Sequence, residues 1–89
     1  MANLYLLDKA AGQNALPIAA LDQGSKVVLI QDGVYLSTDA LLQAGNEVYA
    51  IGTDVQRRGL SGSLPAGVKV IDYAQLVDLI FTNKVINFA

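Results

Sequence analysis

The fold follows most directly from one short stretch, Lys26-Val27-Val28-Leu29-Ile30. Its apolar residues lack the alternation of a strand with one wet face, so we expect a strand buried on both faces. Such strands are typical of parallel sheets that helices cover. Three further short runs, rich in Val, Ile, Leu and Tyr, predict strands at Asn3 to Leu7, Glu47 to Ile51 and Val68 to Ile71.

The segments that connect or follow these runs predict a helix, an irregular loop and an apolar tail. A first helix is expected to start at Asn14 as its N-cap, with Pro17 in its first turn, and to close at Asp22-Gln23-Gly24. The Gly-rich and Ser-rich stretch from Arg57 to Gly67 predicts an irregular surface loop with at most one helical turn before it. The apolar tail Val85-Ile86-Asn87-Phe88-Ala89 predicts either a further edge strand or a segment that docks on a neighbour.

Two more helices are expected. One ends at Gly45-Asn46, and the sequence allows a start near Val34 or near Thr38. The last is the clearest, because Asp72 as N-cap and Gln75 three residues later resemble a capping box. Its apolar residues share one helical face: Tyr73, Leu76, Val77, Ile80 and Phe81.

Strands that alternate with helices over short connections indicate βαβ units and right-handed crossovers. We therefore expect one α/β domain over residues 1–89. It should be a small three-layer domain, with a mostly parallel sheet of about four or five strands flanked by helices.

The chain carries few charges. Lys+Arg number 6 and Asp+Glu 8, so 16% of its 89 residues are charged, where about 25% is usual. Hydrophobic residues make up 53%, yet no apolar stretch approaches the ~18 residues of a membrane span. We expect a protein off the membrane, partly covered by another protein and not monomeric at micromolar concentration. Scattered basic residues in an acidic chain predict no direct nucleic-acid binding, and the absence of a leader predicts a cytoplasmic location.

The composition also excludes much chemistry. The sequence has no Cys, no His and no Trp, which removes thiolate nucleophiles, imidazole bases and the usual zinc or iron ligands. No Walker A loop or GxGxxG fingerprint occurs. We therefore expect no cofactor, no metal and no catalytic residue on this chain.

Four acids follow the predicted strands. Asp8, Asp32, Asp54 and Asp72 lie at carboxyl ends, where open parallel sheets bind ligands. They could form an acidic rim that holds a metal ion or supplies a general base. Alternatively, each Asp caps the helix after its strand. Capping is favoured for Asp72, because Gln75 completes the box, and a cap or turn is favoured for Asp32, which precedes a glycine.

The loop after the third strand carries two weaker signals. Gly59-Leu60-Ser61-Gly62 matches the GxxG clamp of KH domains, but the residues after it cannot start the helix that a clamp needs, which disfavours that function. Of Arg57 and Arg58, one could be a solvated charge at a helix end and the other could pair with an acid of a partner.

Several segments together resemble the DsrH/TusB family. They are Val27 to Val34, Val48 to Leu60 and Val70 to Val77, and the opening Leu4 to Lys9 fits the family's usual start. The resemblance implies the DsrEFH-like α/β fold. It also implies a sulfur-relay role beside TusC/DsrF-like and TusD/DsrE-like partners, for 2-thiolation of the tRNA wobble uridine or for sulfur oxidation.

The sequence departs from the family because it lacks a cysteine. Some DsrH-type members carry a cysteine in the first helix, near Ala19 and Ala20 here, where this chain has none, and Phe88 takes the approximate place of the family's C-terminal Trp. The resemblance then implies a noncatalytic subunit whose partners carry the sulfur. The alternative is a stand-alone homo-oligomer of the same fold that binds a small ligand at the acidic rim and has no sulfur-transfer role.

The resemblance also suggests candidate contacts with a partner or ligand. They are Gln31, Asp32, Gly33, Arg58, Gly59 and Tyr73. The fold itself could equally require these residues for its turns and caps.

Overall fold

The computed structural model describes residues 2–88. Its five strands form one sheet in the order β4-β3-β2-β1-β5, and every neighbouring pair is parallel. The strands are β1 (Asn3–Leu7), β2 (Lys26–Leu29), β3 (Glu47–Ile51), β4 (Val68–Ile71) and β5 (Lys84–Phe88). The helices are α1 (Lys9–Leu21), α2 (Asp39–Gln43), α3 (Gly52–Arg57) and α4 (Tyr73–Thr82), with a 3₁₀ helix at Gln31–Tyr35. The predicted α/β class and parallel sheet are confirmed.

The strand order decides which face of the sheet each helix covers. From β1 to β4 the chain steps across the sheet in one direction, so right-handed crossovers place α1, α2 and α3 on one face. The return from β4 to β5 reverses the direction and places α4 on the other face. We call these the front face and the back face.

The front face carries most of the core. Strand residues such as Leu7, Val27 and Leu29 are buried there against Ala15 and Ala19 of α1. Side chains from the other two front helices complete the cluster, and none of these residues is more than 9% exposed. The front face is therefore a closed, well-packed layer.

The back face has a smaller core of four buried residues: Leu4, Val28, Ile51 and Ile71. Among the helices of residues 2–88, α4 covers this core, through Leu76 and Leu79, which are partly buried. No residue of α4 is buried outright. The predicted apolar face of this helix therefore packs on the sheet only in part. Leu76 contacts the back core, whereas the other four predicted residues are exposed: Tyr73, Val77, Ile80 and Phe81.

The first helix begins earlier than predicted. It starts at Lys9, and Asp8 is its N-cap, with Oδ1 accepting the Lys9 N–H at 2.7 Å. Asn14 is therefore not the cap, and Pro17 lies in the helix interior. Proline there cannot donate to the carbonyl four residues earlier, which is why the sequence seemed to require a later start.

The other helix ends agree better with the predictions from the sequence. Of the two possible starts for the second helix, the one near Thr38 is correct, because a separate 3₁₀ helix occupies Gln31–Tyr35. The predicted capping box of α4 is confirmed, with hydrogen bonds of 2.8 and 3.0 Å joining Asp72 and Gln75. The helix before the loop, α3, has 6 residues and so exceeds the single turn that was expected.

The apolar tail forms the fifth strand, which confirms the first of its two predicted roles. β5 pairs with β1 along its whole length, from Asn3 opposite Lys84 to Leu7 opposite Phe88. The Phe88 ring stacks on Tyr5 with 6.2 Å between ring centroids. Among residues 2–88, no helix has the length and apolar character to cross a membrane.

Candidate functional site

The carboxyl ends of β3 and β4 border a crevice. β3 leads into α3 on the front face, whereas β4 leads into α4 on the back face. The chain therefore departs in opposite directions from two adjacent strands, which is where open α/β sheets bind their ligands. Two clefts meet at this point, and both are lined by Tyr73, the first residue of α4.

The two clefts differ in chemistry. One, of about 330 Å³, is mainly apolar and is lined by Ile51, Gly52, Thr53, Gln56, Val70, Ile71, Asp72 and Tyr73. The other, of about 490 Å³, is polar and charged and is lined by Gln31, Asp32, Asp54, Arg57, Arg58 and Tyr73. A bound group could therefore contact both an apolar and a polar cleft, which share Tyr73 as a lining residue.

An ion-pair network built around Arg58 forms one wall of the polar cleft. The Arg58 Nε–H donates to Asp32 Oδ1 at 2.8 Å, and Nη1 donates to the backbone carbonyl of Asp54 at 3.2 Å. The Asp54 carboxylate lies 3.7 Å from the same nitrogen. The hydrogen bond to Asp32 is the main cause that raises the pKa of Arg58 above its ordinary value. These contacts hold Arg58 in one orientation at the mouth of the crevice.

The backbone at the end of β2 is also fixed by this network. Asp54 is only 4% exposed, and its Oδ2 accepts the backbone N–H of Gln31 at 2.8 Å. Gln31 has φ of 49°, a left-handed conformation that non-glycine residues adopt only where surrounding contacts hold them. The buried carboxylate therefore stabilises a strained residue on the wall of the cleft.

Four of the six predicted contact residues come together in the polar cleft: Gln31, Asp32, Arg58 and Tyr73. Gly33 does not line it, because it is buried against β1, and a Cβ there would lie 2.1 Å from the Leu7 carbonyl oxygen. Gly59 occupies the turn after α3 with φ of 66°. The two glycines therefore shape the backbone near the cleft.

The structure decides several alternatives that the sequence left open. Asp8 and Asp72 cap helices, whereas Asp32 and Asp54 pair with Arg58. Both acids that pair with Arg58 belong to its own chain, and the pairing of one of the two arginines with a partner's acid stays a prediction. Arg57 is an exposed charge in the last turn of α3. Within residues 2–88, no three His, Cys, Asp or Glu side chains are placed to hold a metal ion.

Sequence reasoning missed two residues of the cleft. Asp54 was grouped with the rim acids but was not chosen as a contact, and Arg57 was left as a possible surface charge. The detectable signal was position, since Asp54 follows β3 by three residues and Arg57 lies one helical turn further along α3.

Residues 12–86 match the family described as DsrH like protein. The chain belongs to this DsrH-like family. The Protein TusB of Photorhabdus laumondii is 39% identical over 67 residues, a match that covers 66% of this chain and 68% of the relative. The Protein TusB of Escherichia coli K12 is 35% identical over 65 residues, with the same coverage of both chains.

A solved structure matches the DsrH-like chain over its whole fold. The crystal structure of the ychN protein from E. coli superimposes with a TM-score of 0.85 and covers 99% of both chains. The sequence identity between them is 19%. The likeness therefore confirms the three-dimensional fold of this DsrH-like chain.

The first helix of this DsrH-like chain offers no thiol. The sequence contains no cysteine, and Ala19, near where some members carry one, is fully buried in the front core. The Ala19 carbonyl accepts hydrogen bonds from Ser25 Oγ at 3.2 Å and Asn46 Nδ2 at 3.4 Å. The polar cleft presents carboxylates, guanidinium groups and a phenol, none of which can form a persulfide.

Proposed function

We propose that this chain is a noncatalytic subunit of a sulfur-relay complex, of the type that serves 2-thiolation of the tRNA wobble uridine or sulfur oxidation. One observation carries the proposal: a member of the DsrH-like family has no cysteine anywhere in its sequence. The relatives named Protein TusB support the same family of functions. The partners are TusC/DsrF-like and TusD/DsrE-like chains, and the location is the cytoplasm.

The chemistry of a relay explains why this chain must act through its partners. A thiolate of the accepting protein attacks the terminal sulfur of a cysteine persulfide, a new S–S bond forms, and the donor cysteine leaves as a thiolate. Each transfer from one protein to another needs a cysteine on both the donor and the acceptor. This chain therefore binds and positions a sulfur-carrying partner.

The polar cleft is the proposed contact surface. Gln31 and Asp32 are exposed on its wall, and Arg58 is fixed there by two acids of its own chain. Tyr73 is 57% exposed between the polar and apolar clefts. A prearranged arginine and an accessible aromatic ring are side chains that often dominate protein interfaces. Gly33 and Gly59 contribute by shaping the backbone beneath these contacts.

Reconstitution with the partner subunits and a cysteine desulfurase tests the proposal. With radiolabelled sulfur, we expect label on a partner and none bound covalently to this chain, and slower transfer when this chain is left out. Tyr73→Ala should weaken partner binding about tenfold or more, as removal of an interface anchor does. Leu21→Ala is the matched control, because Leu21 is 86% exposed on α1, away from the cleft. Covalent label on this chain, or transfer that is indifferent to its presence, would contradict the proposal.

The alternative function is a stand-alone protein that binds a small ligand in the crevice. The observation in its favour is the pair of adjoining clefts at the point where the chain reverses direction across the sheet. Genes for DsrE-like and DsrF-like proteins beside this gene favour the relay subunit, and a genome without them favours the stand-alone protein.

A further inference from the structure

Gln31, just after β2, has a backbone conformation that a glutamine adopts unwillingly. Among residues 2–88, positive φ angles occur at Gln31 and at three glycines: Gly24, Gly45 and Gly59. Glycine adopts this left-handed region without steric cost, whereas a Cβ makes the region unfavourable, and Asn and Asp are the side chains that tolerate it best. Glycine would therefore suit position 31 better than glutamine does.

A buried charge holds the backbone of Gln31 in this conformation. Asp54 is 4% exposed, and its Oδ2 accepts the Gln31 N–H at 2.8 Å. Burial of a carboxylate costs free energy that hydrogen bonds and opposite charges must offset, and Arg58 Nη1 lies 3.7 Å from Asp54 Oδ1. Any residue other than proline would supply the same N–H at position 31. The contact with Asp54 therefore does not require a glutamine side chain.

The Gln31 side chain is not used by the fold itself. It is exposed, and within residues 2–88 it makes no side-chain hydrogen bond. It lines the polar cleft, together with Arg57 and Tyr73. A residue that strains the backbone and adds nothing to internal packing indicates a role in binding.

The chemistry of the amide narrows what Gln31 can bind. A glutamine side chain offers one acceptor oxygen and two N–H donors, and it carries no charge. It therefore matches a group that presents one C=O and one N–H side by side. In an extended protein segment, the N–H and C=O of one residue point to the same side and form such a pair. A nucleobase edge offers a similar pair, but the net charge of −2 disfavours nucleic acid.

We propose that the Gln31 side chain binds the backbone of an extended segment of the partner chain. Its amide oxygen accepts the N–H of one partner residue, and its amide nitrogen donates to the C=O of the same residue. The inference rests on the proposed function, because it takes the polar cleft as the surface that contacts the partner. It gives a reason why glutamine, and not glycine, follows β2.

Two variants separate the side chain of Gln31 from its backbone. Gln31→Gly removes both the strain and the amide, so the thermal midpoint should rise by at least about 2 °C. Its dissociation constant for the TusC/DsrF-like and TusD/DsrE-like chains should nevertheless rise about tenfold, because two hydrogen bonds are lost. Gln31→Met keeps the Cβ and the length of the side chain, so it should weaken binding equally and leave the midpoint within about 1 °C.

The matched control is Gln23→Gly, at the other end of β2. Gln23 is exposed, lies outside the polar cleft and has no positive φ. Its replacement by glycine should lower the midpoint slightly, because glycine adds freedom to the unfolded chain, and should leave partner binding unchanged. Circular dichroism measures the midpoints, and calorimetric titration measures binding at a temperature where every variant is folded.

Salt dependence tests the uncharged character of the contact. The factor by which Gln31→Met weakens binding should be the same at about 50 mM and about 500 mM salt, because screening acts on charges. A factor that shrinks at high salt, unchanged binding by Gln31→Met, or a lower midpoint for Gln31→Gly overturns the inference and leaves the proposed function standing. A wild-type chain that binds neither partner contradicts the proposed function, and the inference fails with it.

Discussion

The two faces of the sheet are built from the same strands but are covered very differently. Three successive crossovers bring α1, α2 and α3 onto the front face, where the strand side chains are almost completely buried. A single crossover brings α4 onto the back face, and none of its residues is buried. The difference indicates that folding stability depends mainly on the front face, and that α4 leaves apolar side chains exposed on the back face.

The largest expected difference between the faces comes from matched leucine truncations. Leu29 lies in the front core with 1% exposure, so Leu29→Ala should cost about 3 to 4 kcal/mol of unfolding free energy. Leu79 is only partly buried under α4, so Leu79→Ala should cost about half as much. Urea denaturation of both variants measures the ratio, and equal losses would contradict the comparison.

A second prediction concerns how closely the front-face backbone packs. A Cβ at Gly33 would lie 2.1 Å from the Leu7 carbonyl oxygen, so Gly33→Ala should cost about 2 to 3 kcal/mol as the backbone shifts. Gly62→Ala is the control, because nothing lies within 4 Å of a Cβ at that position. Circular dichroism during thermal unfolding should show a lower midpoint for Gly33→Ala alone.

A third prediction tests the buried carboxylate in α3. Asp54→Asn should cost about 1.5 to 2 kcal/mol, because its oxygens hold the Gln31 N–H and lie beside Arg58. Asp39→Asn replaces an exposed acid in the first turn of α2 and should change the unfolding free energy by less than about 0.5 kcal/mol. Chemical denaturation of both variants at neutral pH distinguishes the two sites.

The last prediction concerns the back face and applies only at high pH. Burial, together with a hydrogen bond to Glu47, raises the pKa of Tyr49 to about 12. The folded state thus favours the neutral phenol. Its contribution to stability is complete below the ordinary tyrosine pKa of about 10 and is lost as pH rises from there toward 12. Tyr49→Phe should reduce this loss, as urea midpoints between about pH 9 and 12 would show, and an unchanged pH dependence would contradict it.

Features that depend on local chemistry could be predicted from the sequence. Runs of β-branched and other apolar residues identified four strand regions and gave the fifth as one of two alternatives for the tail. The spacing of Asp72 and Gln75 identified the start of α4. The rule that parallel strands end at one edge placed the acids of the crevice on that edge. Each of these signals lies within a few residues along the chain.

Features that depend on tertiary packing could not be predicted in the same way. The Arg58 side chain pairs with Asp32, 26 residues away, and no local pattern selects that acid over others. The apolar spacing of α4 is the same for a buried and an exposed face, so it could not show that only Leu76 and Leu79 pack on the sheet. The local signals for the start of α1 conflict, because Pro17 favours a start near Asn14 whereas Asp8 can cap a helix that begins at Lys9.

The position of β1 has a consequence for the timing of folding. β1 lies between β2, which follows it closely in sequence, and β5, which pairs with it from Lys84 to Phe88. At about 5 to 20 residues per second, a ribosome takes several seconds to make the chain between these two neighbours. One edge of β1, an apolar strand that has neighbours on both sides in the finished sheet, is therefore uncovered throughout that interval, when it can pair with other chains. The five-stranded sheet can be completed only after residue 88 has emerged from the ribosome.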